Sequence, residues 1–374
     1  MTTIAYIFEH YPVPSQTFLR REIAGLEAHG LTVNIHSIFG ARWFEWFNVP
    51  VELARQPALL IDGWRWLRRY PPNNAENFWS TVLAALFALA HARQIRREKP
   101  DRLHGVWATG PATAAAILSR LCGGPFSFGA QAYDVYRHGG DAFLTPKLTT
   151  AAFVHTTTAA CATHLRQRAP KARVILARRG LVSLPPLRTA PRVPGALRLL
   201  SVGRLVPKKG HTLQLDAAAE LQRRGVAFQA RIVGDGPLVA ELAKQIQARG
   251  LTGLVELRGA VAPENMDAEY NWADVFWHTG VVDPQGDRDG LPNVIPEAFA
   301  HSLPVISSNA GGAAEASAAL VVPAGDAPAL AAAVVQLASD ETLRIKLGRD
   351  GRRWVEENFL AEKNTAILVE AFTR

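Results

Sequence analysis

Apolar and polar positions alternate along this chain in two rhythms. Residues 3–8, 31–38, 103–107, 126–130, 152–156 and 173–177 are short apolar runs, and each predicts a strand. Between them lie stretches of helical period. In 16–29, Phe18, Leu19, Ile23 and Leu26 recur near every ~3.6 positions, and Gly30 closes the pattern. Residues 112–121 and 159–168 repeat the helical rhythm. Strands separated by helices imply crossover connections, so this half predicts a parallel sheet in a doubly wound α/β domain.

The rhythm breaks at 184–195, where Pro185, Pro186, Pro191 and Pro194 fix φ and withhold backbone donors. That stretch reads as a stiff linker. A second alternation follows, with strands predicted at 197–202, 228–233, 254–257, 275–277, 304–307 and 319–322, and helix from about 326 onward. The expected organisation is a domain over 1–183, a Pro-rich linker over 184–195 and a domain over 196–374. Ligands in such sheets bind beyond the carboxyl ends of the strands. Two such domains are expected to enclose a cleft.

Composition narrows the class. A 374-residue chain with 48% hydrophobic residues can fill two cores. The net charge of +8 favours anionic partners without choosing among them. Cys122 and Cys161 stand alone, without CxxC spacing, which argues against a disulfide scaffold or a zinc site. Both read as core residues of a chain in a reducing compartment. Residues 1–8 lack the basic flank and long apolar core of a signal peptide. The apolar run 78–90 is shorter than the roughly 20 residues that span a bilayer. A soluble or peripheral protein is expected.

The candidate chemistry lies in the second half. Gly203, Arg204 and Lys209 stand in Ser201-Val202-Gly203-Arg204-Leu205-Val206-Pro207-Lys208-Lys209-Gly210, between a strand and a helix. Glycine admits close backbone approach, arginine grips phosphate oxygens bidentately and lysine adds a point charge. A solvated basic turn explains this run on its own equally well. Gly234, in Val233-Gly234-Asp235-Gly236-Pro237, lies at another strand end, where a plain turn is the simpler reading. Next come Asp289, Gly290, Leu291, Pro292, Asn293, Val294 and Glu297. A helix starting near Leu291 would set Asp289 and Glu297 about 10 Å apart, near the length of a diphosphate with its flanking groups. Free N–H groups at the helix entry would then face phosphates. Asp287-Arg288-Asp289 also fits the short DxD pattern of some metal sites. Cations already at hand make a metal unnecessary, so none is expected.

In this order, GRLVPKKG, GDGP and GDRDGLPNVIPEAFAHSLPVISSNAGGAAE resemble the family-4 glycosyltransferases of the GT-B fold, over roughly 197–326. The first half, at 11–23, 104–113 and 126–136, is similar to a branch that builds bacterial exopolysaccharides. The resemblance implies two Rossmann-like domains with parallel sheets facing an interdomain cleft, the last helix crossing back to the first domain. It implies a retaining, metal-independent transfer from a UDP- or GDP-sugar to a saccharide acceptor, with no further cofactor. Carried over, Arg204 and Lys209 would hold the pyrophosphate, Glu297 the ribose and Asp289 the donor sugar. Three departures stand out. Asp289 replaces a glutamate, Gln131 stands where a sugar-contacting histidine is usual, and 313–320 is shorter than the usual loop around Glu315. Two other readings share the donor site: a nucleotide-sugar epimerase and a silent binding subunit. A dinucleotide dehydrogenase is disfavoured, because no GxGxxG follows the first strand.

The acceptor is expected on the first domain. Residues 42–47 and 64–70 mix tryptophan and arginine densely. That mixture suits a membrane interface and a lipid-linked acceptor, with the protein cytoplasmic on the inner face of the plasma membrane. Aromatics packed under the domain and covered by arginines explain it equally. Nucleic acid is not expected, since no recognition motif accompanies the charge. His138 and Asp141 are candidate acceptor contacts. The scattered His10, His36, His155, His164 and His278 read as structural or surface groups.

Overall fold

A computed structural model of the chain describes residues 1–13, 17–40, 46–187 and 195–374. The chain forms two compact units, Met1–Arg179 with Ala361–Arg374, and Gly180–Leu360. The division falls ahead of the Pro-rich segment, because Leu181 and Leu184 pack on the second unit's core and the Pro185 carbonyl accepts from Arg352. Residues 188–194 of the expected linker lie outside the described residues.

The first unit runs β1 (Thr3–Phe8), α1 (Thr17–Ala28), β2 (Thr32–Ser37), α2 (Asn48–Arg55), α3 (Ala58–Arg69), α4 (Ala75–Glu98), β3 (Arg102–Gly105), α5 (Gly110–Cys122) and β4 (Phe126–Gly129). It continues through α6 (Tyr133–Tyr136), α7 (Leu144–Thr150), β5 (Phe153–Thr156), α8 (Ala159–Arg168) and β6 (Val174–Leu176). Its parallel sheet has the order β2-β1-β3-β4-β5-β6. The predicted strands and helices all appear. The periodicity reading is silent over 46–100, where α2, α3 and α4 stand. Helix α4 buries Ala84, Phe87, Ala88 and Ile95 in the first unit's core and packs along α5 and α2. Asn74 caps its start by accepting from the Asn77 N–H.

The second unit runs β7 (Leu197–Val202), α9 (His211–Arg223), β8 (Phe228–Val233), α10 (Val239–Ala248), β9 (Val255–Gly259), α11 (Met266–Trp272), β10 (Val275–His278) and α12 (Val294–Ala300). It closes with β11 (Val305–Ser308), β12 (Leu320–Val322), α13 (Ala327–Ser339) and α14 (Glu341–Asn358). Its sheet is also parallel, ordered β12-β11-β10-β7-β8-β9. The final helix, α15 (Ala361–Thr373), belongs to the first unit, where Leu368, Ala371 and Phe372 pack against Tyr6, Phe153 and Leu19. Phe372 is fully buried, and truncating such a ring costs about 3–5 kcal/mol.

Each sheet reverses its winding once, between β1 and β3 in the first unit and between β7 and β10 in the second. At such a point neighbouring crossovers leave in opposite directions and open a crevice at the carboxyl edge.

Candidate functional site

In the second unit the loops leaving β7 and β10 meet at this reversal. The Thr279 hydroxyl donates to the Lys209 and Gly210 carbonyls at 3.0 and 2.9 Å, and the Val281 N–H donates to the Lys208 carbonyl at 2.9 Å. The loop leaving β8 closes the other side. There the Gly203 N–H donates to the Val233 carbonyl and the Leu205 N–H to the Asp235 carbonyl, each at 2.9 Å. A Cβ on Gly234 would lie 1.9 Å from the Gly203 carbonyl oxygen, so Gly234 is required for loop packing at this point.

Side chains from those loops converge. Lys209 donates to Asp289 Oδ2 at 2.7 Å. Lys208 reaches between two carboxylates, 3.0 Å from Asp287 Oδ2 and 3.6 Å from Asp289 Oδ1. Burial, the largest single influence, raises the Asp289 carboxyl, but the Lys209 ammonium and His278 acting together hold the group well below the usual carboxylate range. His278, at the end of β10, places Nε2 3.7 Å from Asp289 Oδ2, too far for a hydrogen bond. Burial pushes His278 below its ordinary value. Lys208 and His278 were missed as site neighbours by the sequence reading. No spacing rule marks them, because the fold brings them to Asp289 from separate strands. Arg204 is exposed on the same loop as Lys209, and its carbonyl faces His211 Nε2 at 3.3 Å.

The Asp289 backbone is fixed from behind. Its carbonyl accepts from the Gly312 N–H at 3.3 Å, and a Cβ on Gly311 (φ +60°) would come within 2.0 Å of it. Helix α12 begins at Val294 with Asn293 at its N-cap, not near Leu291. Leu291 and Pro292 are buried in an irregular entry, with Leu291 in the core beside Ile295 and Phe299. The expected helical spacing from Asp289 to Glu297 therefore does not apply, since core burial of Leu291 decides the chain's path there. Gly290 stands in the same entry. On α12, Glu297 accepts from the Tyr270 hydroxyl at 2.8 Å. Burial and the Glu297 charge together keep that hydroxyl well above its ordinary value, so it remains a donor.

The first unit has its own reversal point. There the Thr109 hydroxyl, after β3, donates to Glu9 Oε1, after β1, at 3.1 Å. Burial raises the Glu9 carboxyl. A shallow pocket opens beside it, lined by Glu76, Thr109, Tyr133, Arg137 and His138 among others. Gln131 follows β4 and is buried; its Oε1 accepts from Thr157 at 2.6 Å and its Nε2 lies 3.4 Å from His155. Asp141 also lines this pocket. It is buried and paired with fully buried Lys147 at 3.1 Å. Lys147 also donates to the Ala108 carbonyl and to the Thr113 hydroxyl. Cys161 is buried, while Cys122 is only partly so. Of the aromatic-basic segments, 42–45 lie outside the described residues. Among the described residues no group of histidine, cysteine and carboxylate side chains is arranged to hold a metal ion. Nor is any described helix long and apolar enough to cross a membrane.

Two doubly wound parallel α/β units, the second with cations at its winding reversal, define the GT-B fold class of glycosyltransferase structures. Residues 196–340 match the family model for glycosyl transferases group 1, so the chain carries a glycosyltransferase group 1 domain. The chain is similar to the putative colanic acid biosynthesis glycosyltransferase WcaL of Escherichia coli (strain K12), at 35% identity over 192 residues, 49% of this chain and 46% of that protein. It is likewise similar to the amylovoran biosynthesis glycosyltransferase AmsK of Erwinia amylovora, at 34% identity over 46% of this chain and 44% of that one. The matches thus span just under half the length of these relatives. Among solved structures, Anabaena HepE in complex with UDP superposes over 100% of both chains, with a TM-score of 0.72 and 16% identity.

Proposed function

We propose that this chain is a retaining, metal-independent glycosyltransferase of exopolysaccharide or other surface-glycan synthesis. It would take a UDP- or GDP-linked sugar as donor and a lipid-linked saccharide as acceptor, at the cytoplasmic face of a membrane. The observation that carries the reading is the meeting of Lys209 and Asp289 at the second unit's winding reversal, with Arg204 exposed on the same loop as Lys209. Arg204 and Lys209 supply the positive charge a departing diphosphate requires, and charge fixed in place before reaction lowers its barrier. Asp289 meets the sugar, and Glu297, oriented by Tyr270, meets the ribose. The N–H groups of Gly290, Leu291, Asn293 and Val294 lie beside the phosphates, while Pro292 has none to offer. The Lys208 ammonium lies against both acids of the Asp287-Arg288-Asp289 tripeptide and supplies a fixed positive charge there, which supports chemistry without a metal.

In the transfer, the bond from the anomeric carbon to the diphosphate oxygen breaks and a bond to the acceptor oxygen forms on the same face. The acceptor's proton passes to the departing phosphate oxygen. No separate general base is then required.

The test is a thermal-shift series with UDP, GDP and their sugars, followed by incubation of the stabilising donor with saccharide acceptors. A ligand bound only by the folded chain raises the transition temperature. Stabilisation by a nucleoside diphosphate and an α-linked product from an α-linked donor are expected. No shift with any of these ligands would falsify the donor site. A silent binding subunit is the second reading, favoured by Gln131, whose amide is engaged by Thr157 and His155. It predicts a shift with donor but neither transfer nor donor hydrolysis.

A further inference from the structure

Helices α2 and α3 present an apolar face that the first unit's core does not use. In α3, Leu59 packs toward the core and Trp66 stacks on Phe143 with ring centroids 5.8 Å apart. Leu60, Ile61 and Trp64 recur at helical spacing on the other side, at 61%, 54% and 61% exposure. On α2, Val51 is exposed in the same manner. No residue of α3 is buried. Leaving so many large apolar side chains in water is unfavourable, and a contiguous patch of this kind marks an interaction surface.

Charge identifies the occupant. The two helices carry two acids against four arginines: Glu52 is buried and pairs with Arg96 and Arg55, and Asp62 pairs with Arg120 and lies 3.6 Å from Arg65. All four arginines, Arg55, Arg65, Arg68 and Arg69, are exposed, so cations outnumber acids on this face, and Arg68 lies 5.4 Å from the Trp64 ring centroid. Apolar side chains rimmed by arginines, with tryptophan between them, match a boundary where phosphate headgroups meet acyl chains. A folded protein partner gives no reason for the one-sided charge.

We propose that the outward face of α2 and α3 docks this protein on an anionic phospholipid surface. Leu60, Ile61 and Trp64 enter the headgroup–acyl boundary, and Arg55, Arg65 and Arg68 meet the phosphates. This deepens the transferase reading, since it gives a lipid-linked acceptor a surface on which to be met.

The experiment floats the full chain with vesicles of equal parts phosphatidylglycerol and phosphatidylcholine, and with vesicles of phosphatidylcholine alone. Binding to the anionic vesicles only, weakened by salt, is expected. Arg65→Gln with Arg68→Gln should lower the partition coefficient about 25-fold, each arginine contributing about fivefold. Ile61→Ser with Trp64→Ser should abolish binding, while Arg65→Lys with Arg68→Lys should keep it. These positions are exposed, and an unchanged circular dichroism spectrum would confirm that the variants fold. Failure to float, equal binding to neutral vesicles, or wild-type binding by the serine or glutamine variants overturns the proposal. Binding of single-stranded RNA in place of vesicles also overturns it and assigns the face to nucleic acid. Flotation without transfer activity would keep the docking face and remove the transferase reading. Transfer to a water-soluble acceptor without flotation would do the reverse.

Discussion

Lys209 and Asp289, eighty positions apart, share a 2.7 Å ion pair at the mouth of the second unit's sheet. The ammonium proposed to hold a diphosphate is therefore already engaged by the carboxylate proposed to meet the sugar. A nucleotide must draw Lys209 from its partner, or share it.

That exchange sets the first prediction. Lys209→Met should weaken UDP or GDP binding about tenfold or more, the scale of one charge-assisted hydrogen bond. Asp289→Asn releases the ammonium, so the nucleoside diphosphate should bind at least as tightly while transfer falls sharply. Calorimetric titration with the stabilising nucleotide separates the two effects. Tighter binding in Lys209→Met would show that the pair has no part in holding phosphate.

The other end of the donor should behave differently. Glu297→Ala should weaken nucleotide affinity more than Asp289→Ala does. Tyr270→Phe removes only the hydroxyl that orients Glu297, at about 1 kcal/mol, so its affinity should fall between wild type and Glu297→Ala. The reverse ranking of Glu297 and Asp289 would mean that the donor lies the other way round.

A structural prediction concerns Lys147 and Asp141. Lys147→Met leaves a carboxylate buried without its counter-charge and should cost about 3–5 kcal/mol, read from the urea midpoint of the first unit. Lys147→Met combined with Asp141→Leu should recover much of that loss. No recovery in the double variant would mean that the hydrogen bonds of Lys147 to Ala108 and Thr113 matter more than the ion pair.

Acid should loosen the first unit through His104. It is fully buried, with Nδ1 2.8 Å from the Ser127 hydroxyl and its ring 5.2 Å from that of Phe372. Burial, aided by neighbouring His155, holds it well below its ordinary value. A depressed folded-state value means that the unfolded chain binds the proton more readily. The stability is therefore full above about pH 6.5 and declines as pH falls below it. Urea midpoints between pH 7.5 and pH 5, compared with His104→Gln, read this out. An identical slope in the variant would assign the acid sensitivity elsewhere, with buried His155 the next candidate.

Much of this fold is legible from periodicity, because parallel strands buried on both faces must be short and apolar. The strand at 275–277 and the helix at 159–168 show it. The helices over 48–98 were less legible: α3 carries apolar residues on both sides, so no single stripe emerges. Of the candidate residues, Lys209, Asp289 and Glu297 were singled out from motifs along the chain, and the structure brings the first two together. His278 and Lys208 were not, because their relation to Asp289 is set by strand order rather than by distance along the chain. The pairing of Asp141 with Lys147 was not legible either, because Lys147 is brought to it on α7 by the fold.

The sequence by itself determined two alternations of strand and helix, their order, and the glycines and cations at the ends of particular strands. These follow from local propensity and side-chain period, which act over a few residues. Only the tertiary structure decided which strand ends are neighbours, that Lys209 meets Asp289, and that Leu291 is drawn into the core and delays α12 to Val294. Those outcomes depend on burial and charge pairing between residues far apart in sequence, which exist only once the sheet that carries them has formed.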